Sequence, residues 1–133
     1  MKIMVYSKNI PGDAKAMDIA LEHAKAFNGT IDLVAAIENQ SNTPEEVVAE
    51  VETRLEKTAA ETAEQHNVTC TSQLLLTSLP IGEALVNYAE KHGIDEIVMS
   101  FKKRSKLGKL FFGSDTQYII LEAPCRVITI KGS

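Results

Sequence analysis

Five basic side chains crowd one short stretch of the chain: Lys102, Lys103, Arg104, Lys106 and Lys109. Gly113 and Ser114 follow closely. Ammonium and guanidinium groups bind anionic oxygens directly. A Gly-Ser pair at a helix start adds unpartnered backbone N–H groups and the positive end of the helix dipole. The chemistry this combination favours is the holding of an anion, phosphate above all. The apolar run Ile97, Val98, Met99 precedes it. The parts therefore come in the order buried strand, cationic loop, glycine, helix start.

Other chemistries find less support. Gly108 and Lys109 do not make a Walker loop, which needs Gly at 103 and Ser or Thr at 110; the chain has Lys103 and Leu110. Ser7, Ser78 and Ser105 lack a Gly-x-Ser-x-Gly context, so a nucleophilic hydrolase is not expected. His23, His66 and His92 are scattered without metal-ligand spacing. His23 is expected to pack against the core, and the other two to sit in last helical turns, where positive charge is favourable. Cys70 and Cys125 form no CxxC pair and are expected to be reduced core residues.

The formal net charge is −4 over 133 residues. A general nucleic-acid binder is excluded on that ground, and the basic loop is a local feature suited to a small anionic ligand. No apolar run reaches the roughly 20 residues that span a bilayer, and the start MKIMVYSKN is too short in apolar residues for a signal peptide. The expectation is a single domain over 1–133, in the cytoplasm, with no membrane insertion.

The loop needs elements to position it. Lys2–Tyr6 reads as a strand buried on both faces. Residues 9–13 form a turn, and Asp13 is expected to cap a helix with an inward stripe of Ala16, Ile19, Ala20, His23, Ala24 and Phe27. Asn28–Gly29 stops that helix. The second strand is expected over 30–37. Thr43, Pro44 and Glu46 predict a capped helix start, with Thr43 as cap and Pro44 at the first helical position. Its seven glutamates read as a solvated face. Alternation at Val68, Cys70, Ser72, Leu74 and Leu76 predicts a third strand at a sheet edge. A helix from Ile81 stops at Gly93, and a fourth strand covers 96–100. Ser114 and Gln117 predict a second capping box on the last helix, Pro124 ends it, and Arg126–Ile130 forms the fifth strand.

Strand and helix alternate throughout, which implies an α/β fold: one doubly wound, five-stranded parallel sheet with helices on both faces. With strand order 3-2-1-4-5, the winding reverses between strands one and four. Ligands bind such sheets at that point, outside the carboxyl ends of the strands. The cationic loop would then lie beside the end of the first strand.

Four segments resemble the universal stress protein family of the UspA type, over essentially the full length. They are KIMVYSKN, AMDIALEHAKAFNGTIDLVAAI, IDEIVMS and the closing APCRVITI. The resemblance implies a Rossmann-like, adenine nucleotide α-hydrolase-like fold, a stress-response or regulatory role, and binding of ATP or another adenine nucleotide. The family's phosphate motif is Gly, two residues, Gly, nine residues, Gly, then Ser or Thr. It falls here on Ser100, Lys103, Gly113 and Ser114. The last two match and the first two do not. The family's first-strand Asp falls on Lys8, and the Pro before it on Tyr6.

The nucleotide or phosphate site implied by loop and resemblance together comprises Tyr6, Lys8, Ala36, Ser100, Lys102, Lys103, Arg104, Gly108, Lys109, Gly113, Ser114 and Asp115. Ala36 enters because the family's second strand offers backbone there to the adenine. No general acid or base is evident, so the chain is expected not to be an enzyme, or at most a slow ATPase. A homodimer is expected through the last strand (Arg126, Val127, Ile128, Thr129, Ile130), both from the resemblance and because an apolar edge strand needs cover. The alternative is a dimeric interaction module of the same family that binds no nucleotide. The changes at Lys8, Ser100 and Lys103 suit that class.

Overall fold

The computed structural model describes residues 1–8, 14–101 and 113–132. The expected turn with Asp13, and the basic residues Lys102, Lys103, Arg104, Lys106, Gly108 and Lys109, lie outside the described residues.

Five strands alternate with four helices: β1 (Lys2–Tyr6), α1 (Ala14–Phe27), β2 (Thr30–Glu38), α2 (Glu45–His66), β3 (Cys70–Thr77), α3 (Ile81–Lys91), β4 (Glu96–Phe101), α4 (Ser114–Glu122) and β5 (Arg126–Lys131). The strands form one parallel sheet in the order β3-β2-β1-β4-β5, as the alternation and the resemblance led one to expect. The central strand β1 is apolar throughout its middle because it is covered twice. Ile3 and Val5 face α1 and α2 in one core, with Ala20, Leu33, Leu55 and Val98. Met4 faces α3 and α4 in the other, with Val34, Leu85, Ile97 and Ile119.

The returns from helix to strand use left-handed residues where the sequence supplies them. Asn28, Asn67 and Gly93 have φ of 52°, 51° and 63°. Gly29 is required for a different reason. A Cβ there would lie 2.7 Å from the Met1 carbonyl oxygen, which accepts the Thr30 N–H.

Several expectations about helix ends and exposure are corrected. Thr43 does not cap α2. Its hydroxyl is paired with that of Ser41 at 2.6 Å, in a 3-10 turn over Asn39–Ser41. Pro44 takes the cap position instead, and its carbonyl accepts from Val47 and Val48. The Ser114 capping box does not form either: α4 begins at Ser114 itself, with Gly113 as cap residue and no side-chain cap bond. Phe27, at the last turn of α1, is 60% exposed, and Leu76, on the edge strand β3, is 57% exposed.

Candidate functional site

The winding reverses between β1 and β4, whose register pairs Tyr6 with Met99. On its other side Tyr6 pairs with Val34 of β2. Tyr6 and Ala36 both pack against the core under α3 and α4. They therefore offer a partly buried apolar step on one face at the carboxyl ends of β1 and β2. Ser7 follows, buried, with its N–H donated to the Val34 carbonyl at 2.9 Å. Lys8 is exposed just beyond.

The first turn of α4 is fixed against the first turn of α3. Gly82 donates its N–H to Asp115 Oδ1 at 2.9 Å. A carboxylate is favourable there, since the opening amides of α3 have no helical partner and carry partial positive charge. Close approach makes this possible: a Cβ on Gly82 would stand 3.0 Å from the Asp115 carbonyl oxygen and 3.1 Å from its Cα. The sequence reading missed this contact, because Gly82 and Asp115 are 33 residues apart and glycine inside a helix gives no sign of what it touches.

Asp115 also acts on Tyr6. Burial, and secondarily the Asp115 charge, push the Tyr6 hydroxyl up from its ordinary 10.0 to about 12. The folded value lies above the unfolded one, so the associated stability is complete below pH 10 and disappears as the pH rises through 12. Tyr88 shifts the same way, through burial and Asp32, whose Oδ2 accepts its hydroxyl at 3.1 Å. Alkaline titration of the thermal midpoint should show a loss beginning near pH 10, with Tyr6 contributing on the order of 2 kcal/mol. Tyr6→Phe should flatten the curve; an unchanged slope would remove Tyr6 as the cause.

Gly113 has φ −65° and ψ 164°, a conformation open to any residue. Among the described residues no atom lies within 4 Å of where its Cβ would be. Neither the backbone angles nor a described neighbour calls for glycine at the start of α4. Ser114 is exposed and half-buried Asp115 is turned to Gly82. Ser100 is separated from Tyr6: it pairs with Ile130, and strand alternation puts it with Val98 on the α1 face. The described residues thus bring Tyr6 near Asp115 and set Ala36 on the same face as Tyr6, while Ser100 turns to the other side. Two open grooves lie elsewhere, one along α1 and one beside β3. Among the described residues no group of His, Cys, Asp and Glu is placed to hold a metal ion.

A second polar cluster, at the amino end of β4, was also missed. Glu96 is 1% exposed, with His23 Nδ1 2.5 Å from Oε1 and an Arg126 guanidinium nitrogen 3.5 Å from Oε2. His23 is thus held by a buried carboxylate rather than by apolar packing alone. Nothing local to Glu96 in the sequence signals burial, which follows from the positions of α1 and β5.

A profile of the universal stress protein family matches residues 1–131. A Thermus aquaticus protein named "universal stress protein in QAH/OAS sulfhydrylase 3′ region" is 36% identical over 78 residues, 59% of this chain and 56% of that protein's length. The matching stretch therefore spans little more than half of that relative. The solved universal stress protein of Archaeoglobus fulgidus superposes with a TM-score of 0.84, at 26% identity and with 98% of each chain covered. An Archaeoglobus fulgidus universal stress protein in complex with dAMP superposes at 0.78, with 20% identity and 98% of each chain covered.

Proposed function

Because the chain belongs to the universal stress protein family, we propose that it is a small regulatory protein that binds an adenine nucleotide at the switch point between β1 and β4. It would act in the cytoplasm, with 1–133 as one such domain. Gly113 carries it: a glycine that neither conformation nor described packing requires, at the unpartnered amides of α4. The phosphate would lie on the amides following Gly113, beside Ser114. The base would rest at Tyr6 and Ala36, with Lys8 at the rim. The side chains of Lys102, Lys103, Arg104 and Lys109, with Gly108 between them, would supply charge where relatives use glycine backbone. Ser100 would contribute backbone only. The dAMP complex of the Archaeoglobus fulgidus protein supports the class of ligand, and ATP is the finer assignment.

We assign no catalytic group, so turnover of ATP would be slow at most. A homodimer would form along β5, an edge strand in which Val127, Ile128, Thr129 and Ile130 are half-buried and Arg126 is exposed. The second reading, a dimeric module without nucleotide, is favoured by Lys8, Ser100 and Lys103 standing at the family's Asp and glycines.

Thermal unfolding with AMP, dAMP and ATP distinguishes the two. A ligand at 100 times its dissociation constant should stabilise by about 2.7 kcal/mol. For a chain of this size that raises Tm by roughly 10 °C. The shift should shrink with salt and in Arg104→Ala or Lys109→Ala. An unmoved midpoint with all three nucleotides at millimolar concentration would leave the module reading in place.

A further inference from the structure

We infer that the outer edge of β3 is a docking site for an extended, acid-ended peptide segment of another protein, which would add as a sixth strand. This is independent of the nucleotide reading. β3 runs for eight residues, Cys70–Thr77, in unbroken parallel register with β2. The sequence CTSQLLLT contains no charge and no proline, and the register has no bulge. Charge, proline and bulges are devices by which edge strands resist pairing, and β3 has none of the three.

The ladder fixes which groups are on offer. Ile31 donates its N–H to the Thr69 carbonyl. In a parallel ladder starting there, Thr71, Gln73, Leu75 and Thr77 bond to β2, and Cys70, Ser72, Leu74 and Leu76 turn their N–H and C=O outward. Among the described residues the outward Leu74 carbonyl is met by the side-chain amide of its neighbour Gln73, at 3.3 Å.

A groove of about 470 Å³ runs beside this edge, between β3 and α3. Consecutive residues Gln73 through Thr77 all line it, so it reaches the strand's rim and does not lie on one face alone. The α3 wall is Ala84, Asn87 and Tyr88, and Leu79 closes the end nearest the carboxyl ends of the strands. Leu76 and Leu79 are 57% and 39% exposed. An added strand would place alternate side chains into this groove while its backbone takes the outward groups of β3.

Charge selects the segment and its direction. At the opposite end of the groove lie Lys91 and His92, and the Lys2 ammonium reaches the His92 carbonyl at 3.2 Å. Among the described residues no carboxylate lines the groove; of the acids near this end, Asp32 is engaged by the hydroxyls of Thr71 and Tyr88, and Asp95 accepts the Lys2 backbone N–H. Lys91, the charged side chain that lines the groove, therefore favours acidic side chains or a terminal carboxylate. That end is the amino end of β3, so a segment with its acids last would run antiparallel, the stronger pairing. A second copy of this chain is the lesser fit. If β5 also pairs with a copy, self-pairing at both edges builds an open-ended array.

The test uses fluorescence anisotropy of the full chain with a fluorescein-labelled peptide of about ten residues, alternating Thr and Val and ending in two Asp. Saturable binding is expected, weakened about tenfold when alternate peptide amides on the pairing side are N-methylated, which removes the donors the edge would use. Leu76→Pro removes one outward N–H of β3 and should weaken binding to a similar degree; Leu76→Lys serves the same end if the proline variant melts early. Lys91→Glu should weaken the Asp-ended peptide and favour one ending in two Lys. No saturation by about 1 mM, or affinity indifferent to N-methylation, would overturn the inference. So would a wild-type oligomer that dissociates in Leu76→Lys, since a second copy would then already occupy the edge.

Discussion

His23→Ala is expected to destabilise the protein by about 3 kcal/mol, the upper end for leaving a buried polar group without its hydrogen-bond partner. In a domain of this size that is a drop of roughly 10 °C in Tm. The cost comes from what remains. Glu96 stays 1% exposed at the start of β4, and its close partner at 2.5 Å is gone. Only the Arg126 contact at 3.5 Å is left, from a side chain that is 64% exposed. Arg126→Ala removes the weaker and wetter contact and should cost under about 1 kcal/mol. Glu96→Gln introduced beside His23→Ala should restore much of the loss, because a buried amide carries no charge to be stranded. Urea unfolding of wild type, His23→Ala, Glu96→Gln and the double variant gives the coupling directly. A His23→Ala variant within about 0.5 kcal/mol of wild type would mean that Arg126 alone holds the carboxylate.

That cluster marks the boundary of what could be read in advance. The strands were legible because each is a short apolar run between turn residues, and the parallel order because strands and helices alternate. Asn28–Gly29 and Gly93 announced two helix ends correctly. The errors arose where a local signal had two uses. Thr43 could cap a helix or close the turn before it, and Ser41 settled the matter by pairing with its hydroxyl. Ser114 looked like a cap but became the first residue of its helix. Glu96, His23 and Arg126 carry no local signal, since their meeting depends on three separate elements. At the candidate site, Gly113 and Tyr6 could be singled out from sequence, whereas the turning of Ser100 to the far face needed the register of β4 with β5.

Gly82→Val is expected to cost about 3 kcal/mol, at the upper end for overpacking a close contact. The groups in the way are backbone, the carbonyl oxygen and Cα of Asp115 at 3.0 and 3.1 Å, with the Tyr118 Cβ at 3.2 Å. Backbone cannot rotate aside, so α4 must move off α3, and the bond from Gly82 N–H to Asp115 lengthens with it. Gly82→Ala should do less harm, because alanine gains up to about 1 kcal/mol of helix propensity against the strain. Equilibrium unfolding measures both. Since the displaced turn carries Ser114, Gly82→Val should also reduce the nucleotide-induced rise in Tm by more than its stability loss explains. A valine variant as stable as wild type would show that α4 shifts freely, and the first turn of that helix could not then serve as a fixed phosphate seat.

The joint after α1 bears on how this protein ages. Asn-Gly is the dipeptide most prone to deamidation, because the nitrogen after asparagine can attack the side-chain amide and close a succinimide ring. At Asn28–Gly29 that nitrogen is occupied. Gly29 donates its N–H to the Ala24 carbonyl at 2.8 Å, and the Met1 carbonyl sits over the glycine. Asn28 is held at φ 52°. The folded chain therefore shields its most labile bond, and deamidation there requires the Gly29 N–H to leave the Ala24 carbonyl as the last turn of α1 opens. Each converted asparagine adds a carboxylate at the negative end of a helix dipole, which opposes reclosure. Chemical damage at this one position is thus a lasting record of how often the last turn of α1 has opened.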